Sequence, residues 1–166
     1  MKKKVYLSGP SHLLRNGKEI YEKMYKLCED YGFEVLRQPE ELFNPKSSYE
    51  EGLLLARKRG ELIKQCDLII ADCNDMYGSV EPYGETAFEL GFAYGLEKKL
   101  YCYIADKSYC EVRFKGEKSM GPNGRLIDKD GITFEPQTLN VMLDNPSTIV
   151  EGGLEEALKQ ARKDFE

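Results

Sequence analysis

The chain has 166 residues, of which 41% are hydrophobic and 32% charged, the size and balance of a single globular domain over residues 1–166. This composition excludes a disordered chain, a collagen and a coiled coil. Lys and Arg total 24 against 29 Asp and Glu, a net charge of −5, and an extended phosphate-binding groove needs a surplus of basic residues. We therefore expect no nucleic acid polymer as a partner.

Hydrophobic periodicity predicts an alternation of strands and helices along the chain. In chain order the predicted elements are a strand (Lys4–Ser8), a helix ending near Gly32, a strand (Phe33–Leu36), a helix (Tyr49–Gln65), a strand (Asp67–Ala71), a helix (Thr86–Leu96), two strands (Leu100–Ile104 and Thr148–Val150) and a helix (Leu154 to about Phe165). The intervening segments are predicted as loops (Glu40–Ser48, Asn74–Gly84) and a small hairpin within Asp106–Pro136, with turns at Asn123-Gly124 and Asp130-Gly131. The order predicts an α/β fold, a doubly wound, flavodoxin-like parallel sheet of about five strands with helices on both faces.

Cysteine and histidine usage removes several chemistries. The 5 cysteines are widely spaced and include no C-x-x-C pair, so neither a disulfide framework nor a zinc site is predicted, and reduced, mostly buried thiols are expected. Because His12 is the only histidine in the sequence, a Ser-His-Asp catalytic triad is not expected. Because G-x-G-x-x-G and P-loop patterns are both missing from the sequence, dinucleotides and ATP are not expected. Carboxylates and tyrosines must then supply any catalysis, with no cofactor and no metal.

The sequence gives no sign of a membrane or secretory segment. The longest apolar runs, such as Asp67–Ala71, fall far short of the roughly 20 residues that a membrane span requires. The first four residues, Met-Lys-Lys-Lys, lead directly into the first predicted strand, with neither an apolar stretch nor a small-residue cleavage site. We expect a cytoplasmic protein with no membrane partner.

The most informative segment is the predicted helix Thr86–Leu96. Glu89 is its only charged residue, and the same-face neighbours of Glu89 at i+3, i+4 and i+7 are all apolar. A helix that is apolar nearly all round is normally buried, and Ala87, Gly91 and Gly95 form a small-residue stripe suited to packing on a sheet. A carboxylate in the first turn of such a helix, beside the strand ends, is either a structural cap or a functional acid.

Ligands of doubly wound sheets bind beyond the carboxyl ends of the strands, which selects three further residues. Tyr6 lies in the first predicted strand, where it either belongs to the core or faces a ligand, and Gly9 at the end of that strand permits close backbone approach. Asp72 ends the third strand and either meets a ligand or caps the turn with Asn74. Asn140 is the odd polar member of an apolar segment that otherwise predicts a core or interface piece.

Several motifs at these positions resemble the nucleoside 2-deoxyribosyltransferase family. They are Tyr6-Leu-Ser-Gly-Pro10, Ala71-Asp72, Glu81-Pro82, Thr86-Ala-Phe-Glu-Leu-Gly91, Lys98-Lys-Leu-Tyr101, Leu139-Asn-Val-Met-Leu143 and Thr148-Ile-Val-Glu-Gly152. The resemblance runs through most of the chain. It implies an enzyme that transfers 2-deoxyribose between nucleobases, through a covalent glutamyl 2-deoxyribosyl intermediate and with retention of configuration. Its partners would be a deoxynucleoside and a free nucleobase.

The resemblance also assigns roles to individual residues. Glu89 would be the nucleophile, and Tyr6 would hydrogen-bond and orient it. Asn140 and Met142 would form part of the sugar pocket of a neighbouring subunit, which makes the enzyme a homo-oligomer with a shared site. The remaining residues expected at the site are Ser8, Gly9 and Tyr83 as substrate-binding residues and Asp72 as a catalytic one.

The chain departs from the family pattern at two positions. Members commonly carry Asp-Ser-Gly-Thr ahead of the nucleophile, and here the stretch is Tyr83-Gly-Glu-Thr86, so Tyr83 stands where a substrate-contacting Asp is expected. Arg59 falls near a second position that is an acid or an amide in the family. The proton donor to the leaving base would then come from elsewhere, the candidates being Asp72, Glu81 and Glu85.

These departures leave alternatives open. Because Arg59 also favours a phosphorylated substrate, the closest alternative is a nucleoside or deoxynucleoside 5′-monophosphate N-glycosidase of the same superfamily, in which water replaces the acceptor base. A nucleotide-binding or sensing domain and a non-catalytic flavodoxin-like adaptor would keep the fold without the activity. The loops Glu40–Ser48 and Asn74–Gly84 are expected to shape the base pocket.

Overall fold

The structure, a computed structural model, describes residues 2–44, 48–122 and 124–165. Its strands and helices are β1 (Lys4–Ser8), α1 (Gly17–Asp30), β2 (Glu34–Val35), α2 (Tyr49–Gln65), β3 (Leu68–Asp72), α3 (Gly84–Gly95), β4 (Lys99–Ile104), α4 (Cys110–Arg113), β5 (Lys118–Met120), β6 (Leu126–Asp128), α5 (Val141–Asp144), β7 (Thr148–Glu151) and α6 (Leu154–Phe165). Five strands form one parallel sheet in the order β2-β1-β3-β4-β7. The predicted fold class is confirmed.

The sheet is covered on both faces because its strands alternate their side chains. On one face Val5, Leu7 and Ile70 pack against α1 and α6. On the other face Tyr6 and Ile69 pack against α2 and α3. Residues of even number in β1 therefore point towards the helix that carries Glu89, which sets the position of the site.

Helix α2 (Tyr49–Gln65) has the bounds that its sequence pattern predicts, whereas helix α3 begins earlier than predicted. The Ser48 hydroxyl accepts a hydrogen bond from the backbone N–H of Glu51, at 3.2 Å, and so caps α2. The extended backbone of Tyr83 lets α3 begin at Gly84 rather than Thr86. Glu89 consequently lies in the second turn of α3, not the first, so it does not cap the helix.

The prediction that the small-residue stripe of α3 packs on the sheet is wrong. The buried face of the helix consists of Thr86, Glu89, Leu90 and Ala93. Gly91 and Gly95 are exposed, together with Phe88, whose side chain is 76% exposed. The helix carries more apolar surface than the sheet and α2 can cover, so glycine spacing did not indicate which face is buried.

The segment between β4 and β7 contains two short helices and an antiparallel pair of strands. Strands β5 and β6 pair as the predicted hairpin, and Gly131 has a φ of 84° at the turn after β6. The second predicted turn includes Asn123, which lies outside the described residues, as do residues 45–47 of the predicted loop Glu40–Ser48. All five cysteines are buried and free. Within the described ranges, the helices are too short or too polar to span a bilayer.

Candidate functional site

The carboxylate of Glu89 is buried and surrounded by hydrogen-bond donors. Its Oε1 accepts a hydrogen bond from the Tyr6 hydroxyl at 2.5 Å, and its Oε2 accepts one from the Ser8 hydroxyl at 2.5 Å. The Nη2 of Arg59 lies 2.7 Å from Oε1. Only 4% of Glu89 is exposed, so these contacts replace the water that an ionised carboxylate would otherwise bind.

Three elements supply these side chains. Tyr6 and Ser8 are two residues apart in β1, so their side chains lie on the same face of the sheet. Glu89 projects from α3 onto that face, and Arg59 reaches it from α2. Strand β1, which lies between β2 and β3, thus places both hydroxyl donors towards the carboxyl edge of the sheet, where ligands of this fold class bind.

Arg59 joins two carboxylates of α3. Its Nη1 donates to Glu85 at 2.6 Å, its Nη2 contacts Glu89, and its Nε donates to the Tyr6 hydroxyl at 3.3 Å. The side chain is only 11% exposed. Arg59, noted in the sequence as a departure from the family pattern, is therefore a direct neighbour of the predicted nucleophile.

Burial and the surrounding charges set the ionisation of this cluster. Burial raises the pKa of Glu89 above its ordinary value, although Arg59, Ser8 and Tyr6 all favour the ionised form. Burial and the charge of Glu89 raise the pKa of Tyr6, so its hydroxyl remains a donor. Partial burial acts to raise the pKa of Glu85, but the hydrogen bond and charge of Arg59 outweigh it and lower that pKa. Glu85 is accordingly ionised at neutral pH.

Gly9 and Asp72 form a neighbouring corner of the sheet edge. A Cβ atom on Gly9 would lie 2.8 Å from the Cβ of Asp72, so the glycine permits β1 and β3 to end in close approach. The carboxylate of Asp72 accepts hydrogen bonds from the backbone N–H of Asn74 at 3.1 Å and from its side-chain amide at 2.7 Å. This geometry matches the turn-capping alternative for Asp72.

The other predicted site residues lie around this centre. The Tyr83 hydroxyl donates to Glu85 at 3.0 Å and so adjoins the cluster through that carboxylate. Asn140 caps α5 by accepting from the N–H of Met142, and its amide donates to Glu81 at 2.7 Å. Met142 is 72% exposed. The structure thus brings Tyr6, Ser8 and Glu89 into contact, and it leaves Met142 on the surface of its own chain.

Two cavities meet at Arg59 and Glu85. The α2–α3 cavity, of about 550 Å³, is lined by Gly52, Leu55, Arg59, Glu85, Phe88, Glu89 and Phe92, among others. A second cavity, of about 430 Å³, is lined by His12, Leu42, Phe43, Asn44, Arg59 and Glu85, among others. Their volumes suit small ligands, and the first cavity is mostly apolar apart from its charged corner. Among the described residues, the predicted loop Glu40–Ser48 contributes to the second cavity, and the loop Asn74–Gly84 lines neither.

Two buried polar residues near the site were not found from the sequence. Gln38 donates to the carbonyl of Leu7 at 2.8 Å, and its Oε1 lies 3.5 Å from the Tyr6 hydroxyl. Arg113, in α4, binds the carboxylate of Asp75 and donates to the backbone carbonyls of three other residues. Gln38 lies two residues after the end of a predicted strand, which was a usable signal, whereas the segment around Arg113 has no clean period.

No group of three or more His, Cys, Asp and Glu side chains capable of holding a metal ion is found within residues 2–44, 48–122 and 124–165. The carboxylates that line the two cavities, among the described residues, are those of Glu85 and Glu89, and the guanidinium groups are those of Arg59 in both, Arg57 in the first and Arg15 in the second. This arrangement can hold a carboxylate ionised against an apolar cavity, and a carboxylate so placed can act as a nucleophile towards an electrophilic carbon.

The sequence profile described as Nucleoside 2-deoxyribosyltransferase matches residues 5–143. Since this match covers most of the chain, the protein belongs to the nucleoside 2-deoxyribosyltransferase family, whose members are transferases that act on N-glycosidic bonds. The family predicted from the sequence motifs is confirmed.

Solved structures agree with this assignment. The 2-deoxyribosyltransferase of Leishmania mexicana is 25% identical, with a TM-score of 0.76 over 97% of each chain. The 2-deoxyribosyltransferase of Bacillus psychrosaccharolyticus is 22% identical, with a TM-score of 0.51 over 67% of this chain and 79% of the other. A conserved protein of Enterococcus faecalis is 20% identical, with a TM-score of 0.57 over 97% and 99%. The last two support the fold alone. No curated protein matches the chain.

Proposed function

We propose that the chain transfers 2-deoxyribose between nucleobases, with Glu89 as the nucleophile. The observation that carries this proposal is the Glu89 carboxylate, held by two hydroxyls at 2.5 Å and facing a cavity of about 550 Å³. Such a carboxylate has no structural need to be ionised in an apolar interior, because a neutral side chain would be less costly there. The hydroxyls of Tyr6 and Ser8 and the guanidinium of Arg59 offset part of that cost, and a carboxylate kept at such a cost beside a cavity supports a role in a reaction.

The proposed chemistry proceeds in two displacements. A carboxylate oxygen of Glu89 bonds to the anomeric carbon while the bond between that carbon and the base nitrogen breaks, leaving a 2-deoxyribosyl ester and a free base. A second base then attacks the same carbon from the vacated position and releases the carboxylate. Two inversions at one carbon give overall retention.

Neighbouring residues support the nucleophile in this proposal. Tyr6 and Ser8 orient the carboxylate, since each donates to a different oxygen. Gly9 would contact substrate from the end of β1 and Tyr83 from the loop before α3, and Asp72 would serve catalysis by holding the end of β3 in position through its hydrogen bonds to Asn74. Two properties of Tyr83 favour a supporting role. Its hydroxyl donates a hydrogen bond to Glu85, and burial raises its pKa to about 12, so the hydroxyl stays protonated.

We further propose a homo-oligomer in which Asn140 and Met142 complete the sugar pocket of a neighbouring copy. The exposure of α5 favours this arrangement, since Val141 is 44% and Met142 72% exposed. The hydrogen bond from Asn140 to Glu81 fixes the orientation of α5 against the loop before α3, so the exposed side chains are presented at a defined angle. Exposed apolar side chains of this kind are typical of contact surfaces.

A base-exchange assay tests the proposed function. Incubating the protein with deoxyinosine and adenine should yield deoxyadenosine and hypoxanthine in equal amounts, which chromatography resolves. A parallel incubation with deoxyinosine 5′-monophosphate examines the alternative substrate. Release of free sugar without deoxyadenosine would contradict the transferase and favour the N-glycosidase, and no reaction with either substrate would favour a binding domain.

Replacing Tyr6 by Phe should slow base exchange by roughly 10- to 100-fold, because one donor to the ionised nucleophile is lost. The same hydrogen bond lowers the pKa of Glu89, so its removal should also move the acidic limb of the pH–rate profile to higher pH. Activity requires ionised Glu89 and is lost as the pH falls through its pKa. Tyr25→Phe, on the opposite face of the sheet, is the control. An unchanged acidic limb in Tyr6→Phe would remove Tyr6 from the site.

A further inference from the structure

The α2–α3 cavity is lined by two arginines, Arg57 and Arg59, of which Arg59 contacts Glu89, and its described lining lacks a group suited to give a proton to a leaving base. Among the described residues that line it, the acidic ones are Glu85 and Glu89. Glu89 is the proposed nucleophile, and the pKa of Glu85 is lowered by Arg59. The two other candidate acids point elsewhere, since Asp72 accepts from Asn74 and Glu81 accepts from Asn140.

Arg59 adjoins the proposed nucleophile and lines both cavities, so a base held in either cavity would lie close to its guanidinium. Its Nη2 lies 2.7 Å from the Glu89 carboxylate, and its side chain lines both cavities. A guanidinium has five N–H donors, and the contacts to Tyr6, Glu85 and Glu89 account for three of them. Two donors therefore remain for a ligand.

We propose that Arg59 is a catalytic residue that stabilises the leaving base as an anion, in place of a proton donor. The proposal rests on the proposed function. As a Glu89 oxygen bonds to the anomeric carbon, the electron pair of the carbon–nitrogen bond moves to the base nitrogen. The base leaves as an anion, hydrogen-bonded to the guanidinium, and takes its proton from solvent after release. In the second displacement an acceptor base loses its proton to solvent and is held as an anion in the same place.

The charge balance of the cluster favours this role. Before the reaction Arg59 is paired with two carboxylates, and Glu89 loses its negative charge when the ester forms. A buried guanidinium that loses a partner is costly, so a new negative charge beside it is stabilised. The leaving base acquires that charge at the moment when Glu89 gives it up. Glu85 keeps the guanidinium in place throughout, at 2.6 Å.

Two consequences distinguish stabilisation of an anionic base by Arg59 from protonation of the base by an acid. First, without protonation the rate depends on how well the base carries a negative charge, and the guanidinium helps most with the poorest leaving groups. Second, the rate should not fall between about pH 7 and pH 9, because a guanidinium keeps its charge there. The titratable groups that face Arg59 are Tyr6 from β1, Glu85 and Glu89 from α3, and His12 and Tyr83 from the adjoining segments.

The test measures the first release of base from 2′-deoxyuridines that carry fluoro, hydrogen or methyl at position 5, a series of decreasing base acidity. Arg59→Met should slow release roughly 100- to 1,000-fold for the methyl compound and much less for the fluoro compound. Arg59→Lys, which retains a cation, should restore part of the loss. Lys58→Met is the matched control. Lys58 immediately precedes Arg59 in α2, pairs with Glu41 and does not line the α2–α3 cavity.

Each other outcome has a defined meaning. An equal loss for all three bases in Arg59→Met would show that Arg59 only positions Glu89, and it would overturn the proposal. A wild-type rate that falls above pH 7, with His12→Gln abolishing that fall, would identify His12 as a proton donor and would also overturn it. If the wild-type protein releases no base from any deoxynucleoside, the proposed function itself fails, which is distinct from the failure of Arg59 alone.

Discussion

Replacing Glu89 by Gln is expected to lower the rate of base exchange by a factor of roughly 10⁴ or more, because loss of a covalent nucleophile leaves only binding and electrostatic contributions. Gln has nearly the same volume as Glu, and its single carbonyl oxygen can replace one of the two acceptor oxygens that Tyr6 and Ser8 use. The loss of one hydrogen bond is small beside the loss of the negative charge and nucleophilicity, which should account for most of the effect. Initial rates with deoxyinosine and adenine measure it, and undiminished turnover would remove Glu89 from the mechanism.

The stability of the Glu89→Gln variant serves as its control. Burial raises the pKa of Glu89, so the stabilising contribution of the neutral form is fully present below the unfolded-state pKa and is lost as pH rises through the raised native pKa. Gln is neutral at every pH but removes one of the two carboxylates that pair with Arg59, so the variant should melt below the wild type at pH 7 while still unfolding in one cooperative transition. Glu61→Gln, on the exposed surface of α2, controls for loss of a carboxylate and should retain full activity.

Replacing Arg113 by Met should cost about 3–5 kcal/mol of unfolding free energy, because it removes a buried guanidinium and leaves three backbone carbonyls without their donor. The side chain is only 3% exposed and lies 3.0 Å from Asp75. It also donates to the backbone carbonyls of Ser108, Val80 and Thr138, at 2.6, 3.1 and 2.7 Å. Urea denaturation of both proteins measures the difference.

Two further variants make the Arg113 result specific. Arg113→Lys keeps the charge but cannot serve all four partners, so it should recover only part of the lost stability. Arg57→Met removes an exposed arginine of α2 and should change the unfolding free energy by less than about 1 kcal/mol. A loss below 1 kcal/mol in Arg113→Met would contradict a structural role for its hydrogen bonds.

The regular elements could be predicted because their signals are local. The nearly continuous apolar run that ends at Ala71 belongs to β3, a strand buried on both faces, as its sequence indicates. Helix α2 has the bounds that its apolar periodicity predicted, and the Ser48 hydroxyl caps its first turn. Strand β2 is only two residues long, shorter than predicted, because its neighbour on one side is β1 and its other edge is unpaired among the described strands.

The parts that could not be predicted depend on contacts distant in the sequence. Tyr6 and Glu89 are separated by 83 positions, and their proximity was expected only through the family resemblance. Arg59 was identified as a departure, but its pairing with Glu85 and Glu89 required the packing of α2 against α3. Arg113 binds residues 25 and 38 positions away, from a segment with no periodicity that could indicate burial. Local pattern carries no information about such partners.

The two hydroxyls that donate hydrogen bonds to the proposed nucleophile belong to β1, a strand flanked on both sides by parallel partners. Hydrogen-bonded strands in the middle of a buried sheet exchange their amide protons only through large-scale opening of the molecule. The backbone amides of Tyr6 and Ser8 should consequently be among the slowest to exchange with deuterated solvent. The hydroxyls that face Glu89 are then in place before any ligand arrives, and thermal fluctuation of the surface loops leaves their spacing unaltered.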